Sequence, residues 1–370
     1  MKINRYAVMA VLAAVMLTAP DAGAQTTQRF TANKANEFAL VYSLPRTVLD
    51  ITVETEHTIE QPGDYANYAN RHLSVTDAIR RPSHTVIIKS INITPRGEAD
   101  PDNRWQVQFK NGSQVSMMLT DAGIPLAINT DRVTPAKTPE LPQAVAAKPT
   151  PLETDAARQA VTVDISRATS QAKKAELTAQ RIFELREQRG ELISGNADNM
   201  PPDGRALQVA LDNLSAQEAA LTAMFTGTRK TYTEVSTVTF NPGVNDSTDV
   251  VVARISPVDG VVDVNDLSGE PLYLTMTVVE RGKLPVNDKG EEKRFPKGGV
   301  AYTIPGSAQI QLSYQGKVLG SQTYTLGQLG VTFGIDPALF SDRKAPSLLE
   351  FSPVTGAIVR LDSATPQPQQ

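Results

Sequence analysis

Between Thr169 and Gly227 the chain carries two helix-patterned segments of about two dozen residues each, with β-patterned sequence on either side. In the second segment Leu207, Leu211, Leu214, Glu218, Leu221 and Phe225 recur at alternating spacings of four and three, which is one stripe of a helix with a single charged member. The first segment places Ala172, Ala175, Ala179, Ile182, Arg186, Arg189 and Ile193 on a comparable stripe. Its small residues permit close helix approach, and about 1.5 Å of rise per residue makes each arm roughly 30–35 Å long. The intervening stretch Asn196-Ala-Asp-Asn-Met-Pro-Pro-Asp-Gly204 reads as a tip. Gly195 and Asn196 can end the first helix in a left-handed conformation, Pro201 and Pro202 keep the chain extended, and Asp203 suits an N-cap. The pattern predicts an antiparallel hairpin with a coiled-coil-like seam.

Upstream, Leu49, Ile51, Val53, Thr55, His57 and Ile59 alternate with polar partners, the signature of a strand with one buried face. Thr85–Ile93 reads as another strand. A meander follows, through Trp105, Val107 and Phe109, a turn at Asn111-Gly112, and then Val115–Leu119 and Ile124–Ile128. Residues 131–154 hold prolines amid Ala, Thr and Lys without periodicity and read as an exposed linker. The run Val161–Ile165 fits either a strand or a helix entry. Downstream, strands are expected at Tyr232–Phe240, Val250–Ile255, Leu272–Glu280, Ala308–Tyr314, Lys317–Tyr324, Leu348–Phe351 and Ala357–Leu361. Two turns nearly repeat, Ser256-Pro-Val-Asp-Gly260 and Ser352-Pro-Val-Thr-Gly356, which fits a duplicated unit or convergent turn chemistry. The expected fold class is α+β, with two mainly antiparallel β domains (25–130 and 228–362) separated by the linker and the long hairpin of 155–227, and a disordered tail from 363.

The first 24 residues read as a secretory signal: Lys2 and Arg5, an apolar core from Tyr6 to Leu17, and Ala22-Gly-Ala24 before Gln25. Cleavage there predicts an exported protein of the periplasm or outer cell surface. The chain has no cysteine, hence no disulfide and no lipid-anchor thiol, so stability has to come from core burial. No later stretch is apolar enough to suggest a transmembrane anchor. A net charge of −4 and a pI near 5.6 leave no basic stripe and argue against nucleic-acid binding.

Several blocks, spread over nearly the whole chain after the leader, resemble a family of secreted envelope proteins of Bacteroidetes whose function is unknown. They include Tyr42-x-Leu-Pro-x-Thr-x-Leu-x-Ile-x-Val53, Pro62-Gly-x-Tyr-Ala-x-Tyr-Ala69, Arg186-Glu-x-Arg189 and Met200-Pro-x-Asp-Gly204. Further along come Asp266-Leu-Ser-Gly269, Tyr302-x-Ile-Pro-Gly306 and Thr355-Gly-Ala357. The resemblance implies localisation and length and supplies no active site. Gln328-Leu-Gly330 departs from it where an aromatic residue is expected, a difference of packing.

Chemistry-bearing motifs are sparse. His57, His72 and His84 fall on a strand, a short helix and a loop without ligand spacing, and the acidic loop Asp259–Asp266 lacks a calcium-loop pattern, so no metal or other cofactor is implied. No nucleophile elbow or phosphate loop is present. The expected role is a non-enzymatic structural or interaction module. The alternatives are a binder of an envelope carbohydrate, seated in a cleft between the β domains, and a hydrolase with two unrecognised carboxylates. Two sets of hairpin residues carry the interaction reading. Phe183, Leu185 and Leu192 lie off the seam and, with Met200, Pro201 and Pro202 at the tip, are candidate contacts for an envelope protein or polymer, or for a second copy of the chain. Glu218 is expected to interrupt the leucine stripe because an arginine of the first helix reaches it, Arg181 first and Arg186 otherwise, given a tip centred near Asn199.

Overall fold

The computed structural model describes residues 26–29, 39–108, 115–130, 133, 140–202, 204–341 and 347–363. The signal segment, the Asn111-Gly112 turn, the Asp203 cap and the tail after 363 lie outside them. In chain order the strands are β1 (Thr26–Arg29), β2 (Leu40–Gln61), β3 (Ser83–Gln108), β4 (Met117–Leu119), β5 (Pro125–Ile128), β6 (Thr228–Phe240), β7 (Ser247–Ser256), β8 (Gly260–Val262), β9 (Glu270–Glu280), β10 (Val300–Tyr314), β11 (Lys317–Ile335), β12 (Ser347–Phe351) and β13 (Ile358–Ser363). The helices are α1 (Ala69–Leu73), α2 (Asp155–Ala160), α3 (Val163–Arg167), α4 (Gln171–Ser194), α5 (Gly204–Thr226) and α6 (Ala338–Ser341).

β2 is 22 residues long, and β-branched and apolar residues dominate its middle. Two bulges, at Ser43/Pro45 and Glu54/Thr55, let so long a strand coil, and Pro45, which has no N–H to donate, sits at the first of them. On one side β2 pairs antiparallel with β3 and on the other with β6, Leu49 opposite Phe240 through Gln61 opposite Thr228. The resulting sheet has the order β1-β3-β2-β6. Flanked on both edges, β2 has little wet surface: besides Leu49, Ile51, Val53, Thr55 and His57, the residues Thr52 and Glu54 of its other face are also buried. Thr52 meets Thr237 hydroxyl to hydroxyl at 3.1 Å, and Glu54 is held by Lys89 and Ser90. The second face, expected to be solvated, is thus closed by cross-strand polar pairs.

A second sheet, β11-β10-β9-β7-β8, packs on the first. Leu49, Ile51 and Val53 enter a core with Leu272, Leu274 and Met276 of β9 and Ile310 and Leu312 of β10. A third sheet, β13-β12-β5-β4, joins strands from both ends of the chain, with Leu349 opposite Ile128. It closes a second core in which Tyr42 and Leu44 of β2 meet Val107, Val300, Leu349 and Phe351.

These pairings correct the expected fold class. Among the described residues the chain is mostly β in three sheets, and segments before and after the helices share two of them, so two β domains do not stand on either side of a helical spine. A period-2 pattern marks a strand without naming its partner, and this is where the expectation failed. α4, with 24 residues, and α5 are instead an insertion rooted in the body. Ser170 caps α4 by accepting from the Lys173 N–H, and Gly195, at φ +75°, ends it while the Asn196 N–H bonds back to the Glu191 carbonyl. The far end of α5 is tied to the segment after β2: its Met224 and Thr226 carbonyls accept from Tyr65 N–H at 2.7 Å and Ile79 N–H at 2.9 Å. Gly63 permits this approach, because a Cβ there would lie 2.2 Å from the Met224 carbonyl oxygen. The described part of the linker is not free either, since Val145 exchanges hydrogen bonds with Thr233 on the otherwise open edge of β6. Val161–Ile165 resolves as helix entry, with Thr162 capping α3.

The two repeated turns share their local chemistry. Ser256 Oγ accepts from the N–H groups of Val258 and Asp259, and Ser352 Oγ from those of Val354 and Thr355. Gly260 and Gly356 take φ +76° and +74°. Both turns pack on β2, one against Thr55 and His57 and the other against Pro45 and Thr47.

Because β2 contributes to both sandwich cores, truncating it should be costly. Ile51→Ala, at a position with no exposed surface, is expected to lower stability by about 2–5 kcal/mol, whereas Val318→Ala on the exposed start of β11 should stay within about 0.5 kcal/mol. Chemical denaturation of both variants checks the contrast.

Candidate functional site

The helical arms separate into a buried root and an exposed outer half. At the root, Ala175, Ala179, Ile182 and Leu185 of α4 and Leu221 and Phe225 of α5 form a cluster with Tyr65, Ala69 and Ala160. Tyr65 lies against Phe225 with ring centroids 5.4 Å apart. The candidate contact residues fall on different sides of this division. Leu185 is fully buried in the root cluster, Leu192 is half-buried, and Phe183 is exposed with the Arg186 guanidinium 5.6 Å over its ring. At the tip Met200 and Pro202 are exposed and Pro201 is half-buried.

Glu218 is bridged by two arginines of α4. Arg186 Nε donates to its Oε1 at 2.6 Å, and Arg189 Nη1 stands 2.6 Å from its Oε2 in an oblique, mainly ionic contact. Arg189 also reaches the Ser215 hydroxyl at 3.4 Å. Arg181 is not a partner: it bonds Glu184 on its own helix at 3.1 Å. The contact is therefore displaced by nearly two turns from the register that a tip centred on Asn199 implies. α4 ends at Ser194 and α5 begins at Gly204, evenly about that residue, so the end points of the helices do not by themselves set which side chains meet across the seam. Arg189 was legible as a candidate, three residues beyond Arg186 on the same stripe. With only 13% of its side chain exposed, Glu218 depends on its cations: removing them would leave a charge largely out of water, which costs more than losing a surface pair.

Sequence spacing missed a second polar cluster. The β2–β3 pairing brings His57 and His84, far apart in sequence, to a ring-nitrogen separation of 3.3 Å. His57 is 1% exposed and stacks on Tyr232 of β6, with centroids 4.6 Å apart. Its Nε2 lies 3.2 Å from the Thr55 hydroxyl and 3.5 Å from a Glu234 carboxylate oxygen. Gly260 closes over the imidazole, where a Cβ would sit 3.0 Å from Nε2. His72 is elsewhere, on α1 beside Phe225. Among the described residues no three His, Asp or Glu side chains are grouped to hold a metal ion. The sandwich end carries an aromatic group, but its rings are spent on one another: Trp105 stacks on Phe295, which meets Phe333 edge-on.

The model "Domain of unknown function (DUF4831)" matches residues 39–359. The chain belongs to the DUF4831 family. No curated protein and no solved structure matches it. The matched DUF4831 range opens just before β2 and ends within β13, so it takes in the helical insertion and every strand from β2 to β12 and leaves out only β1 and the end of β13 among the described strands. Among the described residues of this DUF4831 chain no helix is long and apolar enough to cross a membrane.

The histidine cluster makes a pH prediction. Burial holds the His57 pKa below its ordinary value of 6.5; Glu234 pulls it up, His84 pushes it down, and Asp259 pulls it up. With the folded value below the unfolded one, the unfolded chain binds the extra proton first. The stabilisation is therefore complete above the unfolded value and is lost as pH falls through 6.5 toward the folded value. Melting between about pH 7.5 and pH 5 should show a falling midpoint, and His57→Gln should flatten that slope.

Proposed function

We propose that this DUF4831 protein is an exported, non-enzymatic component of a Bacteroidetes cell envelope, in which the three-sheet body holds the helical pair rigidly by its root so that the outer half meets a partner protein. The carrying observation is the contrast along the arms. The root is buried on its inner face, while Ile193 is 68%, Met200 43% and Val209 63% exposed on the outer half, and Phe183, 51% exposed, lies on the outward face of α4 between Ile182 and Leu185. Leu207 and Leu211 are only half-buried in the seam there. Scattered exposed apolar residues are ordinary on a protein surface. Concentrated on a projecting element whose root is fastened by backbone hydrogen bonds, they favour recognition.

The non-enzymatic reading is supported by how the buried ionisable groups of the body are engaged. Glu54 is tied to Lys89 and Ser90, and Glu350 to Arg360. The Tyr42 hydroxyl accepts from the Ala301 N–H at 2.8 Å, and burial raises its pKa. The two carboxylates join paired strands and the Tyr42 hydroxyl joins two sheets, which gives these groups a structural task. Export rests on the leader-like first 24 residues and on the resemblance described above.

The test is capture from the protein's own envelope fraction with the chain beginning at Gln25, alongside the double variant Phe183→Ser, Val209→Ser. The wild-type chain should retain a defined protein that the variant loses, with thermal stability changed by no more than about 0.5 kcal/mol per site. Capture undiminished in the variant would contradict the proposal. Sizing in solution separates a second copy of the chain from a different partner.

A further inference from the structure

A cleft of about 510 Å³ opens at the root of the hairpin, where one side of α5 meets the start of β6. Three arginines line it, Arg186 and Arg189 from α4 and Arg229 from β6. Two carboxylates answer them. Glu218 lies between Arg186 and Arg189, and Glu60 accepts from Arg229 Nε at 2.9 Å and Nη2 at 2.6 Å. Counting Glu60, which pairs with Arg229 from outside the lining, three cations meet two anions and leave one positive charge in excess. A guanidinium carries five N–H donors, and each of these three spends only one or two on its carboxylate, so donors remain on the part-exposed groups.

The other lining groups suit a polar ligand with an apolar face. Ser215 and Thr222 of α5 and Thr228 of β6 contribute hydroxyls, and Ala219 and Ala223 keep the floor open. Three of the last carbonyls of α5, which would repel an anion, are hydrogen-bonded: Ala223 accepts from Gly227, Met224 from Tyr65 and Thr226 from Ile79. The molecule itself displays the fit of a planar carboxylate to this surface, since Glu218 occupies the space between Arg186 and Arg189.

We propose that the cleft binds an acidic sugar, with the ligand carboxylate on the free guanidinium donors, its hydroxyls on Ser215, Thr222 and Thr228, and the apolar face of its ring over the two alanines. Glu218, bridged by one guanidinium on each oxygen, shows that a carboxylate suits this surface, and the volume lies within the range of small-molecule sites. Glu218 is then an internal competitor for the same guanidinium pair. The site is separate from the exposed tip and does not depend on the partner surface proposed above.

Calorimetric titration of the full chain with D-glucuronate, D-glucose and inorganic phosphate tests this. Glucuronate should bind, with glucose weaker by about tenfold or more, the worth of a charge-assisted hydrogen bond. Arg189→Gln and Arg229→Gln should each weaken glucuronate binding by a comparable factor. Glu218→Gln should tighten it, a gain that a merely structural seam residue would not produce. The proposal is overturned if neither the wild-type chain nor Glu218→Gln binds glucuronate, if phosphate binds more tightly than glucuronate, or if the arginine variants leave affinity unchanged. Arg229 lies outside the helix seam, so its variant keeps the test decisive should the seam variants fail to fold.

Discussion

The structure depends on β2 being paired on both sides. One neighbour, β3, follows it in the chain, while the other, β6, arrives only after the linker and the helices, so the ladder from Leu49–Phe240 to Gln61–Thr228 ties the two parts of the chain into one sheet. The same strand supplies Leu49, Ile51 and Val53 to one core and Tyr42 and Leu44 to the other. Each fully buried side chain of this kind contributes about 1.5–3 kcal/mol of transfer free energy, and a chain without cysteine has no covalent link to substitute for it. The two Ser-Pro turns brace opposite ends of the strand, at Thr47 and at His57.

The helical insertion makes sense on that frame. Its return point, Gly227 at φ +83°, feeds directly into β6, so the strand that completes the sheet also fixes the direction of α5. Packing is dense where the arms meet the segment after β2 and thins toward the tip. The Glu218 bridge sits near that boundary, where the seam changes from apolar contact to charge. Polar groups at a helix seam specify register more than they add stability, because desolvation offsets much of the attraction. Three paired charges at the edge of a cleft can serve register and recognition together.

Much of the local structure was legible. The 3.6-residue period located both long helices, and alternation located most strands, because these signals are written within a dozen residues. What could not be read was which strand lies beside which. β2 and β6, or β5 and β12, look the same whether they share a sheet or belong to separate domains, since pairing over such distances is decided by the closure of a common core. The His57–His84 contact was invisible for the same reason: it exists only through the β2–β3 register. At Glu218 the residue type predicted an arginine partner, but the choice between Arg181 and Arg186 required the helix offset, which depends on how the tip is built.

The most direct test of the interleaved body is a single cut at the hairpin tip. A protease site inserted after Asn199, in a segment that contributes nothing to the sheets, would sever the chain between α4 and α5 without touching β2 or β6. The ladder between those strands predicts that the two fragments stay together through sizing chromatography and unfold in one cooperative transition. Separation into two independently folded pieces with two transitions would contradict it.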